Sequence, residues 1–114
     1  MSIINKHAVS YSKMNNEQKV LNLLGLTRRA GELISSEDIV LKAIKNQKVA
    51  FVFIAKDAGA STSKKFQDKC KFYKIAYDLS FTKEQLNQAT GQQRTIYGVT
   101  QNGFAKKFKE LLTM

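Results

Sequence analysis

The segment Val49–Ala55, "VAFVFIA", decides the fold class. Seven consecutive apolar residues, β-branched and aromatic among them, read as a strand covered on both faces. Such a strand needs one layer above it and one below. Upstream, Ser35 with Asp38 three residues later has the form of a capping box, opening a helix through about Asn46. Ile39, Val40, Ala43 and Ile44 form the apolar stripe of that helix. Downstream, "STSKKFQDKCKFYK" (61–74) places Phe66, Cys70 and Tyr73 at i, i+4 and i+7, again a helix.

Further out the alternation continues. Val20, Leu21 and Leu24 recur at helical spacing from Asn16 to about Arg29, and Gly31 is a stop signal. "ELIS" (32–35) reads as a short strand. "IAYDL" (75–79) is another, after which Ser80 or Thr82 caps a helix that ends at Gly91. "TIYGVT" (95–100) is a strand, and Asn102 starts a last helix with Phe104, Phe108, Leu111 and Leu112 on one face. The order α-β-α-β-α-β-α-β-α predicts crossovers and a three-layer α/β/α sandwich. Residues 1–13 show no period and read as a leader, a tag or a flexible N-terminus, leaving 14–114 as a single domain.

Charge narrows the partner. Nineteen Lys and Arg stand against nine Asp and Glu in 114 residues, a net +10. Residues 1–13 carry Lys6 and Lys13 and no acid, so eight of the ten net charges belong to residues 14–114. Such an excess favours a polyanion, with nucleic acid ahead of an anionic membrane surface. No basic helix with an aromatic-rich apolar face is present, so no membrane partner is expected. No apolar run is long enough to span a bilayer, and the start lacks the apolar core of a secretory signal, so a cytoplasmic location is the default.

Catalytic chemistry finds little to stand on. His7, the only histidine, lies in the irregular start without a ligand partner, and Cys70 sits on an apolar helical stripe. The expectation is a buried, inert thiol, with no metal and no cofactor. No GxGxxG or GxxxxGK[ST] loop occurs. Asp57 and Asp78 each follow a strand, where ligands of open α/β sheets tend to bind, although a loop cap is the commoner use.

The basic features carry two readings each. Lys64, Lys65, Lys69, Lys71 and Lys74 face only Asp68, and Lys106, Lys107 and Lys109 face Glu110. These are solvated helix faces, or a long-range field for phosphate. Arg28 and Arg29 complement a helix C-terminus, worth ~0.3–1 kcal/mol each, or they bind phosphate. Ser35, Ser36, Glu37 and Asp38 cap a helix. The same entrance also offers hydroxyls and carboxylates that accept from guanine N1–H and N2–H, with Lys42 one turn beyond as a donor.

The stretches "LLGLTRRAGELISSEDIVLKAIK", "VAFVFIAKDA", "KKFQDKC", "QATGQ" and "GFAKKFKELL" resemble, in order and spacing, the small bacterial YlxQ-type proteins. These belong to the kink-turn-binding ribosomal-protein superfamily of the archaeal L-seven-Ae and eukaryotic L-thirty-e type. The resemblance runs from Met14 to the C-terminus. It implies an α/β/α sandwich with a mixed four-stranded sheet, and RNA binding without catalysis. In the family's kink-turn readers the second helix opens on Gly-Thr-Asn-Glu-x-x-Lys, whose Asn, Glu and Lys reach tandem sheared G·A pairs. A loop after Ala-x-Gly covers a flipped-out base.

Ser36 stands at that Gly, Glu37 at the Thr, Asp38 at the Asn and Ile39 at the Glu, while Lys42 keeps the Lys. In the second loop Ala89 and Gly91 match, and Gln92, Gln93 and Arg94 stand where kink-turn readers are more apolar. Ile39 accepts no hydrogen bond, and a buried guanine donor left unmatched costs ~1–3 kcal/mol. The leading expectation is a non-enzymatic, ribosomal-protein-like protein that binds structured, kink-turn-like RNA in ribosome or translation biology. Ribosomal RNA and ribosomal proteins are its expected company. Arg28, Arg29, Ser35, Ser36, Glu37, Asp38, Lys42 and Gln92–Arg94 would form one edge, brought together by the family's fold. The rivals are a protein-interaction adaptor that keeps the fold without reading RNA, and an enzyme using Asp57 or Asp78.

Overall fold

The computed structural model describes the backbone of residues 2–113 and the side chains of residues 16–113. Nine elements alternate along it. They are α1 (Ser2–Arg29), β1 (Leu33–Ser35), α2 (Glu37–Lys45), β2 (Phe51–Ile54), α3 (Ala60–Phe72), β3 (Ala76–Asp78), α4 (Lys83–Thr90), β4 (Ile96–Val99) and α5 (Asn102–Thr113). The strands form one mixed sheet in the order β1-β4-β2-β3. β4 is antiparallel to both of its neighbours, and β2 and β3 are parallel.

The apolar run 49–55 behaves as its composition requires. All four residues of β2 are buried. Phe51 and Phe53 point to one face, with Tyr97 and Val99 of β4, against Val20 and Leu24 of α1, Leu86 of α4 and Phe108 of α5. Val52 and Ile54 point to the other, with Ile96, against Val40 and Ile44 of α2 and Phe66 and Cys70 of α3. Strand residues alternate between faces, so a covered face on each side turns alternation into a continuous apolar stretch. Phe53 stacks edge-on to Phe108 at 4.9 Å and lies 4.9 Å from Phe51. Each fully buried Phe of this kind contributes about 1.5–3 kcal/mol by leaving water.

Three expectations are revised. α1 begins at Ser2 instead of Asn16. The side chains there, His7 among them, lie outside the described residues. The entrance to α2 is not a capping box: the N-cap is Ser36, one residue later than read, and its side chain makes no capping hydrogen bond. Ile39 does not join the apolar stripe of α2. It is 56% exposed, because α2 packs through Val40 and Ile44, one helical turn apart, and Ile39 is rotated by about 100° from Val40. Of the two caps the sequence offers for the helix 83–90, Thr82 is the one used. Thr82 Oγ1 accepts from Gln85 N–H at 3.2 Å, and Gln85 Oε1 accepts from Thr82 N–H at 2.9 Å.

Candidate nucleic-acid interface

Strand direction gathers the loops. β4 runs against β1 and β2, and β3 runs with β2. The C-terminal ends of β1, β2 and β3 and the start of β4 therefore share one end of the sheet. The chain leaves β1 there at Ser36, leaves β2 towards Asp57 and enters β4 from Gln92–Thr95. An open groove of about 1100 Å³ lies at this end, lined by Ser36, Glu37 and Asp38 on one side and by Gln92, Gln93 and Arg94 on the other. Asp57, Lys83, Glu84 and Asn87 complete it.

The first wall turns sharply. Ser36 has φ 79° and ψ 149°, a conformation favoured by glycine and costing another residue about 1–3 kcal/mol. Its carbonyl accepts the first helical bond from Val40 N–H at 3.1 Å. The turn points the first residues of α2 into the groove. Glu37 meets Lys65 of α3 at 3.5 Å; both side chains are nearly half exposed, so this pair is worth ~0.2–1 kcal/mol. Asp38 is exposed, and Ile39 beside it leaves an apolar surface in water.

The second wall hangs on a buried polar cluster. Tyr97 is fully buried. Its hydroxyl donates to Asn87 Oδ1 at 2.8 Å, and the same oxygen accepts Arg94 N–H at 3.0 Å. Thr90 Oγ1 lies 3.1 Å from the Tyr97 hydroxyl and 2.9 Å from the Leu86 carbonyl, its one proton serving one of the two, and it accepts Gln92 N–H at 3.2 Å. Gly91 ends α4 at φ 72°, where a side chain would be strained, and a Cβ there would stand 3.2 Å from Arg28 Nη1. Two of the three backbone donors of the Gln92–Arg94 loop, those of Gln92 and Arg94, are thereby fixed while the Gln93 and Arg94 side chains remain exposed. Gln92 Oε1 is the one side-chain polar atom among the described residues that is buried without a partner.

Six of the ten residues expected at this edge line the groove: Ser36, Glu37, Asp38, Gln92, Gln93 and Arg94. Four do not. Ser35 is the last residue of β1 and pairs with Tyr97. Lys42 is exposed on α2, one turn from Asp38. Arg28 is exposed and reaches the Gly91 corner. Arg29 lines a separate, smaller groove between α1 and α4, with Gly25, Gln85 and Ala89. Sequence reasoning missed Asn87, Thr90 and Tyr97. A buried tyrosine in a strand of apolar appearance and an asparagine ten residues earlier give no common spacing signal.

The charge of the groove is mixed. Glu37, Asp38, Asp57 and Glu84 face Lys83 and Arg94. Asp57 accepts Lys83 N–H at 2.7 Å, which closes the first turn of α4. Asp78 accepts from Ser80 N–H at 3.0 Å and from Ser80 Oγ at 2.6 Å. Both strand-end aspartates are thus loop caps. Cys70 is buried, and burial pushes its thiol pKa up to about 12. Among the described residues no helix is long and apolar enough to cross a membrane.

The chain is 42% identical over 97 residues to the RNA-binding protein YlxQ of Enterococcus faecium, an alignment covering 85% of this chain and 94% of that one. It is 40% identical over 91 residues to the RNA-binding protein YlxQ of Bacillus subtilis strain 168, covering 79% and 91%. A solved Bacillus halodurans protein, described as of unknown function, superposes with a TM-score of 0.81 at 38% identity over 84% of this chain and 98% of that one. The Giardia lamblia 15.5 kD RNA binding protein shares the fold, with a TM-score of 0.75 at 16% identity over 87% and 86%. Residues 18–109 match the pattern of the ribosomal protein L7Ae/L30e/S12e/Gadd45 family. This chain is a member of that family.

Proposed function

We propose that this chain is a non-enzymatic, ribosomal-protein-like protein that binds structured RNA through the groove end of its sheet. Residues 14–114 form the binding domain, acting in ribosome or translation biology in the cytoplasm beside ribosomal RNA and ribosomal proteins. The observation that carries the reading is the meeting of the α2 entrance with the Gln92–Arg94 loop across one groove, each wall fixed by backbone geometry. Relatives of at least 40% identity bear the name RNA-binding protein.

The mixed charge divides the work. An acid-lined floor repels phosphate and suits base edges. Glu37 and Asp38 accept guanine N1–H and N2–H, Arg94 donates to O6 or N7, and Ile39 covers a base face. The phosphates run outside the floor, past Lys42 and the lysines of α3, whose field brings the polyanion in.

The test is RNA recovered by crosslinking in cells, then titrated at several salt concentrations with the parent, Lys42→Ala and Arg94→Ala. Binding that falls steeply with salt and weakens in both variants supports the reading. A flat salt dependence and unchanged variants sink it. The adaptor reading draws on exposed Ile39 and the acid excess of the groove. It leads if a protein is captured that Ile39→Asp releases, while RNA affinity stays at the level of any basic domain.

A further inference from the structure

α2 and α3 start at the groove end of the sheet and finish together at the opposite end. There the chain places a second chemistry. Phe72, the last residue of α3, is 76% exposed, the most exposed large hydrophobic side chain among the described residues. Its ring stands edge-on to Tyr73 at 4.9 Å and 78°. Tyr73 is itself packed on the α2/α3 core, so the exposed ring is held from one side. The same two helix ends carry Lys69, Lys71 and Lys74 on α3 and Lys45 and Lys48 after α2, and the nearby acid, Asp68, one turn before Phe72, is paired with Lys64 at 3.0 Å. Lys45, Lys48, Lys71 and Lys74 are all exposed.

The helix ends add an independent observation. α1, α2 and α3 all stop in the same hydrogen-bond pattern, in which the residue after the cap takes a left-handed conformation. In α1, Glu32 N–H donates to Thr27 O at 3.0 Å and Gly31 N–H to Arg28 O at 2.9 Å, with Gly31 at φ 75°. In α2, Lys48 N–H donates to Ala43 O at 2.8 Å and the left-handed residue is Gln47, φ 55°. In α3, Ile75 N–H donates to Cys70 O at 2.8 Å and the left-handed residue is Lys74, φ 58°. Glycine relieves that position at α1. At α3 the position holds Lys74, two residues past Phe72, against the steric preference of an L-residue.

We propose that Phe72, with Lys71 and Lys74 and the lysines that end α2, is a second RNA contact that takes unpaired nucleotides. One base stacks on the Phe72 ring and the flanking phosphates pair with the lysines. An aromatic face amid cations is what a single strand needs, because every base has a π-face and every link a negative charge. With Asp68 already paired to Lys64, the patch presents a net positive charge, which favours the polyanion as occupant. The inference rests on the RNA-binding reading of the groove and extends it: a structured element held at one end of the sheet would send a single-stranded flank across α3 to the other.

The probe is a labelled 12-nucleotide single-stranded RNA of mixed sequence, titrated against the full chain. Phe72→Ala is expected to weaken binding about tenfold, the scale of one lost base stack, with an unchanged salt slope. Lys71→Gln with Lys74→Gln is expected to flatten that slope by about 1.4. Circular dichroism and melting checks confirm that these exposed positions leave the fold intact. The groove variant Arg94→Ala, bound to the structured RNA instead, separates the two surfaces. If it weakens the structured RNA while Phe72→Ala leaves the single strand unaffected, this inference fails and the groove reading stands. If Phe72→Ala instead dissolves a dimer of the parent, the patch covers a second copy of the chain and the inference is overturned. If neither RNA binds, both fall.

Discussion

Tyr97 and Asn87 are joined by a 2.8 Å hydrogen bond that ties the middle of the sheet to the wall of the groove. The phenol is fully buried between α1, α4 and α5, and its one polar atom reaches the helix that precedes the loop. Because Asn87 Oδ1 also holds Arg94 N–H, the loop's position is set by the core. Tyr97→Phe removes the hydroxyl and leaves Thr90 and Asn87 short of a partner. The expected loss is about 1–2 kcal/mol, read as a lower Tm, with faster amide exchange at Arg94 than in the parent. Unchanged exchange at Arg94 would show that the loop is held by other contacts.

Ser36 predicts a gain in stability. Its φ of 79° is the glycine region, and Ser36→Gly relieves strain of about 1–3 kcal/mol against an entropic loss of about 0.4–1 kcal/mol in the unfolded chain. The melting temperature should rise, while Ser36→Ala, which keeps the Cβ, should gain nothing. A Ser36→Gly protein that melts lower than its parent contradicts the strain.

Asp38→Asn with Ile39→Glu restores the Asn-Glu pair of the family's kink-turn readers. Ile39 lies outside the core, so the double variant should melt within about 0.5 kcal/mol of the parent, as surface changes do. Its affinity for a standard kink-turn RNA should rise by ~1–3 kcal/mol, the scale of one base contact. Parent-like melting with no gain in kink-turn affinity would show that this entrance does not meet the sheared pairs.

Cys70 predicts a pH dependence. Burial raises its pKa from 9.0 to about 12 in the folded protein, so the folded state holds the proton that the unfolded state gives up. The corresponding stability is complete below pH 9 and is lost as pH climbs from 9.0 towards about 12. Cys70→Ala should flatten the fall of stability over that window. At pH 8 a thiol reagent should label the native protein only as fast as it opens; rapid labelling would place the thiol at the surface.

Most of the architecture was legible because it is written in periods. The continuous run at β2, the i, i+4 pairs of α2 and α3 and the glycine after α4 each report one local rule, and the observed element order agrees with them. What escaped depends on geometry that no spacing encodes. Ile39 looked like core because four apolar residues share its helix, yet a nine-residue helix on a short strand buries only Val40 and Ile44. Ser35 and Asp38 matched a capping box, but the backbone turns at Ser36, whose positive φ carries its side chain away from the helix N–H groups. The backbone of residues 2–15 continues α1 although their sequence shows no apolar stripe to announce it. At the candidate interface the two walls were named by resemblance. The residues that hold the second one in place, Asn87, Thr90 and Tyr97, become neighbours only once β4 pairs with β1 and β2 and α4 packs above it.

The proposed binding places RNA in the groove between the α2 entrance and the Gln92–Arg94 loop. Ultraviolet crosslinking of the protein to RNA in cells, followed by mapping of the crosslinked peptides, tests it most directly. The prediction is nucleotide adducts on the peptides spanning 35–42 and 92–94, lost when Arg94→Ala and Lys42→Ala are combined. Adducts confined to other surfaces, with these two peptides clean, would contradict it.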